Sequence, residues 1–175
     1  MQEPLTPSDS NSDASLESWS IQKDFRFEAA HRLETHDGKC RRLHGHSYRL
    51  EIEVGRGHLY EKSPSKGMVI DFANLSKVVE DYVLKTFDHR FLATEETPDV
   101  LLNALHLTEV VRLKIPASTA EHLARVIGER LLESGSMMQR VLRRVTVWET
   151  ENSKATWHRY GYFTPQTKSR RQLVS

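Results

Sequence analysis

Leu43-His44-Gly45-His46-Ser47-Tyr48-Arg49-Leu50-Glu51-Ile52-Glu53-Val54 alternates in character from one residue to the next. His44, His46, Tyr48, Leu50, Ile52 and Val54 share one parity; Ser47, Arg49, Glu51 and Glu53 share the other. Successive side chains of a strand point to opposite faces, so this period of two predicts a half-buried strand with both imidazoles on its apolar side. Gly45, between them, removes a side chain where a neighbouring backbone approaches closely.

The segment upstream has the same period. Phe25, Phe27, Ala29 and His31 fall on one parity, Asp24, Arg26 and Glu28 on the other. A turn through Asp37-Gly38 folds this strand back on the next one and brings His31 beside His44 and His46. Three neutral imidazoles bind Zn²⁺ and leave it both its charge and an open coordination position, the mark of a catalytic rather than a structural ion. Cys40, four residues before His44, has two readings. As a fourth ligand it closes the site. As a free thiol near a cation it has a depressed pKa and serves as base or nucleophile. Spacing alone leaves both open.

Size and composition set bounds. The 175 residues fit one domain with tails, enough to bury a core. Net charge is +1, so no global field draws nucleic acid. No apolar run spans a bilayer and no basic-then-apolar leader opens the chain, so a membrane or secretory role is not expected. The single cysteine excludes an intrachain disulfide and fits a reducing cytoplasm.

Residues 1–19 are rich in Ser, Asp and Pro and are expected to be a disordered tail; residues 164–175 read as a basic tail around Lys168, Arg170 and Arg171. Between them, 20–163 form one domain. Strands are expected at 20–31 and 43–57, then a loop through Pro64 and Lys66 and a short extended piece, 67–72. A helix is expected over 73–86, with Leu75, Val78, Val79, Tyr82 and Val83 on its stripe. Residues 93–117 read as a partly helical insert. A second helix opens at Ser118, where Ser118 and Glu121 make a capping box, and Leu123, Val126, Ile127 and Leu131 form its buried stripe. Strands at 140–150 and 155–163 close the domain. The order β-β-α-α-β-β predicts an α+β fold: a four-stranded antiparallel sheet with two helices on one face. Its open edges invite other copies, so a symmetric oligomer joining sheets into a barrel is expected, with the active site between subunits.

Two further places carry chemistry. Asp88-His89 follows the first helix; a carboxylate beside an imidazole is a general acid–base unit, or a polar helix end with His at the negative pole of the dipole. Glu149 shares parity with Val145 and Val147, so its carboxylate faces the apolar side and can grip adjacent N–H donors of a guanidine-like ring, unless the strand has ended and it faces solvent beside Glu151. His36, His58, His106, His122 and His158 form no constellation, and Trp148 and Trp157 read as packing. Arg41 and Arg42 are placed to meet a phosphate or to sit in a solvated loop.

Phe27-Glu28-Ala29-Ala30-His31, Cys40-Arg41-Arg42-Leu43-His44-Gly45-His46, Gly67-Met68-Val69-Ile70-Asp71-Phe72, Asp88-His89, Ser118-Thr119-Ala120-Glu121 and Val147-Trp148-Glu149-Thr150 occur in that order. Together they resemble the 6-pyruvoyltetrahydropterin synthase family, and within it the bacterial 6-carboxytetrahydropterin synthase branch of 7-deazaguanine and queuosine synthesis. The three-residue gap between Cys40 and His44 is similar to that branch. The resemblance implies a tunnelling fold (T-fold) whose trimeric barrels stack into a homohexamer. It implies a zinc site of His31, His44 and His46 and a catalytic Cys40. Asp88 and His89 match a catalytic pair often supplied by a neighbouring subunit. Glu149 matches the residue that anchors the pterin, with Thr119 and Glu121 near the same pocket. The implied reaction is lyase conversion of 7,8-dihydroneopterin triphosphate to 6-carboxy-5,6,7,8-tetrahydropterin, acetaldehyde and triphosphate. The alternatives are the pyruvoyl-forming elimination of triphosphate from the same substrate, and a non-catalytic zinc-stabilised pterin-binding oligomer. The chain departs from the family's pattern in a longer segment between His89 and Ser118, in Ala93 after Leu92 where Asn is frequent, in His122 where Asn is common, and in Ser118 where the bacterial branch often has Pro.

Overall fold

Two long strands, β1 (Trp19–His31) and β2 (His44–Arg56), form the spine of the fold, paired antiparallel from Trp19↔Arg56 to His31↔His44. The computed structural model describes residues 18–106 and 109–159. Of the tail expected at 1–19, residues 1–17 lie outside the described residues and Trp19 already belongs to β1; the tail expected at 164–175 and the strand end expected at 160–163 also lie outside the described residues. Alternation does what the sequence implies: Phe27, Tyr48, Leu50, Ile52 and Val54 are buried, while Glu28, Ser47 and Arg26 face out. Gly45 fits its expected purpose, since a Cβ there would stand 3.0 Å from the Ala29 carbonyl oxygen.

The sheet differs from the expected one. It has six strands, in the order β4-β3-β1-β2-β5-β6, and it is mixed. β5 (Leu142–Thr150) pairs antiparallel with β2, and β6 (Ser153–His158) with β5. The additional strands, β3 (Arg90–Ala93) and β4 (Val110–Arg112), lie in and beside the segment read as an insert. β3 runs parallel to β1 through Ala29↔Arg90 and Ala30↔Phe91, and β4 runs parallel to β3. They enclose a small second core of Phe91, Ala93 and Leu102. Along 19–27, β1 has no strand partner on its β3 side among the described residues.

The helices cover one face. α1 (Phe72–Val79) is capped by Asp71, whose carboxylate accepts from Ala73 N at 2.7 Å. It continues through a π-helical turn, Glu80–Leu84, into α2 (Lys85–Phe87). The wide turn shifts the buried stripe to Leu75, Val79, Val83 and Phe87 and rotates Tyr82 outward, against the expected stripe. α3 (Asp99–Ala104) lies between β3 and β4, and α5 (Ser136–Val141) leads into β5. α4 (Ala120–Glu133) buries Leu123, Ala124, Ile127 and Leu131. Its cap is Thr119, not Ser118, and the Ser118–Glu121 capping box does not form. Ser118 is occupied elsewhere, as its contacts with His31 show. α4 sits directly on β6: a Cβ at Gly128 would stand 2.4 Å from the Trp157 ring. No helix among the described residues is long and apolar enough to cross a membrane.

Candidate metal centre

The β1–β2 register assembles the centre. His31 lies opposite His44, and His46 lies opposite Ala29 on the same face. The three rings meet with centroids 4.5 Å apart for His31 and His44, 5.0 Å for His44 and His46, and 5.2 Å for His31 and His46. One ring nitrogen of each lies within 4.8 Å of the others.

Hydrogen bonds set which nitrogen faces inward. His31 Nδ1 lies 2.8 Å from the Ser118 carbonyl oxygen and 3.2 Å from its hydroxyl. His44 Nδ1 lies 2.7 Å from the Arg42 carbonyl oxygen. A carbonyl only accepts, so Nδ1 carries a proton in both rings, and Nε2 is the nitrogen left to offer a lone pair in the neutral form. Nε2 of His31 and of His46 are buried without a hydrogen-bond partner. Buried lone pairs left over in a cluster of neutral imidazoles fit a divalent cation. Burial, opposed in part by the Ser118 bond, pushes the His31 imidazole down to about 4, and burial also lowers His46. The His31 and His46 rings are therefore held neutral and ready to ligate at neutral pH.

Glu149 joins this cluster. Its Oε1 lies 3.7 Å from Nε2 of both His31 and His46, and its side chain is 30% exposed. The inward-facing reading of Glu149 holds; the solvent-facing one does not. Tyr48 packs under His46, with ring centroids 5.4 Å apart, and burial pushes its phenol up.

The remaining candidates stand apart from the three nitrogens. Cys40 lies in a 3₁₀ turn, Lys39–Arg41, half-buried, and is not among the grouped donor atoms. Its carbonyl oxygen accepts from Leu33 N at 2.9 Å, which closes the loop between the strands. Asp88 and His89 pair with each other, Oδ2 to Nδ1 at 3.0 Å. They are pinned to the β1 edge: Asp88 Oδ1 accepts from Glu28 N at 2.8 Å, and His89 N donates to the Glu28 carbonyl at 2.6 Å. The Glu28 bond is the main reason the Asp88 carboxyl sits below its usual range. His89 has φ +57°, the left-handed region, and its side chain is 77% exposed. It lines an open cleft of about 550 Å³ together with Glu28, Gly45, His46, Ser47 and His106. Thr119 caps α4 and reaches His122 Nδ1 at 3.2 Å. Glu121, in the first turn, has its carboxyl lowered chiefly by a backbone N–H and then by Thr119.

Sequence reasoning missed one residue. Ser118, read as a cap, orients His31, and no local pattern announces a contact made across the domain. Trp148, read as packing, does pack: the Arg49 guanidinium lies 4.1 Å and the Lys154 ammonium 4.4 Å from its ring.

The sequence profile of the 6-pyruvoyl tetrahydropterin synthase family matches residues 20–159. A 6-carboxy-5,6,7,8-tetrahydropterin synthase of Haemophilus influenzae is 37% identical over 136 residues, covering 76% of this chain and 94% of that protein. One from Synechocystis is 35% identical over 148 residues, covering 85% and 95%. Among solved structures, the 6-pyruvoyl tetrahydropterin synthase of Caenorhabditis elegans superposes with a TM-score of 0.62 at 29% identity, covering 81% of this chain and 96% of that one.

Proposed function

This chain belongs to the 6-pyruvoyl tetrahydropterin synthase family, as a lyase-type enzyme, and on that premise we propose that it converts 7,8-dihydroneopterin triphosphate to 6-carboxy-5,6,7,8-tetrahydropterin, acetaldehyde and triphosphate. The observation that carries this reading is the cluster of inward-facing imidazole nitrogens with the Glu149 carboxylate beside it. The three-residue gap between Cys40 and His44 supports the carboxy-forming branch.

His31, His44 and His46 would hold Zn²⁺. Bound there, the ion supplies a Lewis acid for the hydroxylated side chain of the substrate. The protein does the rest. Glu149 accepts from the adjacent N–H donors of the pterin and sets the reacting carbon in register. Thr119 and Glu121 border the same pocket. Cys40, as thiolate, takes and returns a proton at the side-chain carbon. His89, oriented by Asp88, serves the opposite face. Its exposure and attachment at a sheet edge suit it to a site shared with a neighbouring copy. Joining the edge of β6 to the edge of β1 left open over 19–27, both without a strand partner among the described residues, would produce the ring of subunits this requires, up to a homohexamer. The single thiol fits a reducing, cytoplasmic setting, and queuosine synthesis is the route the branch serves.

Mass spectrometry of products from dihydroneopterin triphosphate and zinc-loaded protein tests the proposal. Acetaldehyde with the 6-carboxy product is the expected result. Triphosphate release without side-chain cleavage points instead to the pyruvoyl-forming reaction. No turnover overturns both.

A further inference from the structure

Beside the start of β1 lies a groove of about 400 Å³, lined by Trp19, Ile21, Leu59, Met68 and Phe72 among others. Trp19 is 47% exposed and Phe72 49%, so large apolar side chains stand open where β1, among the described residues, has no strand on its β3 side. At the far side of the sheet, β6 ends the described chain. Arg159 N donates to the Arg143 carbonyl, level with the Val54 and Ile21 end of the spine. The next residues are Tyr160-Gly161-Tyr162-Phe163, three aromatics in four positions ahead of a polar, basic stretch.

The geometry points to one occupant: the segment 160–163 of one copy docks its aromatic side chains into this groove on a second copy. It rests on the reading that copies join β6 to β1. β6 runs antiparallel to β1 within the sheet. A β6 laid on the free edge of another copy's β1 therefore directs its outgoing chain toward that copy's Trp19.

Reach favours a second copy over the chain's own groove. Within one copy the segment must cross three strand spacings, about 14 Å. Four residues span at most about 14 Å, which leaves Tyr160 and Tyr162 short of the groove. Between copies the distance is one spacing, about 5 Å. The segment before Ser18 is a poorer occupant, because Leu5 and Leu16 are isolated among Ser, Asp and Pro. Aromatic anchors in an apolar pocket are the usual source of affinity at such contacts.

The test uses the full chain with a photoreactive benzoylphenylalanine at Phe163, prepared as an equal mixture of light and ¹⁵N-labelled copies. Irradiation should give mixed-isotope cross-links to peptides containing Trp19–Ile21 or Met68–Phe72. Cross-links elsewhere, cross-links confined to one chain, or none would overturn the inference. A chain ending at Arg159 should need about ten-fold higher concentration to associate, by sedimentation. Unchanged association overturns it too. Turnover of the triphosphate is measured on the same samples. An active assembly without the cross-link sinks the docking alone, and a cross-linked but inactive one sinks the enzymatic reading alone.

Discussion

His31 is held by Ser118, whose carbonyl oxygen lies 2.8 Å from Nδ1 and whose hydroxyl lies 3.2 Å from the same atom. The hydroxyl also donates to the Arg32 carbonyl at 3.3 Å. Ser118→Ala keeps the carbonyl and loses the hydroxyl, so the ring should be oriented less tightly. Zinc affinity is expected to fall by about ten-fold, with the fold intact. Competition with a chromogenic chelator measures it; an unchanged affinity would show that the carbonyl alone suffices.

Stability of the metal-free protein should depend on pH through His31. Its folded pKa is about 4, against an ordinary value of 6.5. Above 6.5 neither state is protonated there, and stability is insensitive to this group. Between 6.5 and about 4 the unfolded chain takes up a proton that the folded chain refuses, so stability falls as pH drops. The loss is on the order of 3 kcal/mol at most, and it levels off below about 4. His46 acts in the same direction. Urea titrations across the window give the curve, and His31→Gln should make it shallower, leaving the part carried by His46. A flat wild-type curve contradicts the assignment.

Ligand and thiol should separate cleanly. His44→Ala is expected to abolish both zinc retention and turnover. Cys40→Ala is expected to retain zinc and lose activity, because Cys40 is outside the cluster of donor nitrogens. Metal analysis and product assays on both variants decide this. Zinc loss in Cys40→Ala would mean that the thiol closes the site.

Glu149→Gln preserves shape and removes charge. If the carboxylate grips the pterin, KM should rise by at least about ten-fold while bound zinc is unchanged, the loss of a charge-assisted pair. Its Oε1 stands 3.7 Å from two of the imidazole nitrogens, so metal content is the telling control. Loss of zinc would make Glu149 a ligand instead.

Gly128→Ala adds a methyl that would stand 2.4 Å from the Trp157 ring. The better helix propensity of Ala, up to about 1 kcal/mol, works against an overpacking cost of about 1–3 kcal/mol. Net destabilisation is expected in urea titrations, relieved by Trp157→Leu. A stabilised single variant would show that α4 and β6 can part without cost.

What was legible in the sequence was whatever has one wet face and one dry one. β1 and β2 announced themselves by parity, and with them the three imidazoles; the parity of β5 likewise marked the inward Glu149. β3 and β4 did not. Phe91, Leu92 and Ala93 are all buried, so no alternation marks the strand, and its partners come from distant segments. Tyr82 was misassigned because the π-helical turn changes the phase of the stripe, which a fixed period of 3.6 does not anticipate. Ser118 looked like a cap because its neighbours allow one; its engagement with His31 belongs to tertiary structure.

The centre is drawn from a single hairpin. During synthesis its three donors leave the ribosome together, before α1 or α4 exists. An isolated hairpin is marginal in water, and a cation seated across its two strands would staple them. The order of synthesis written into this topology is therefore the three donors first and the helices afterwards, with Ser118 arriving late to lock the His31 ring.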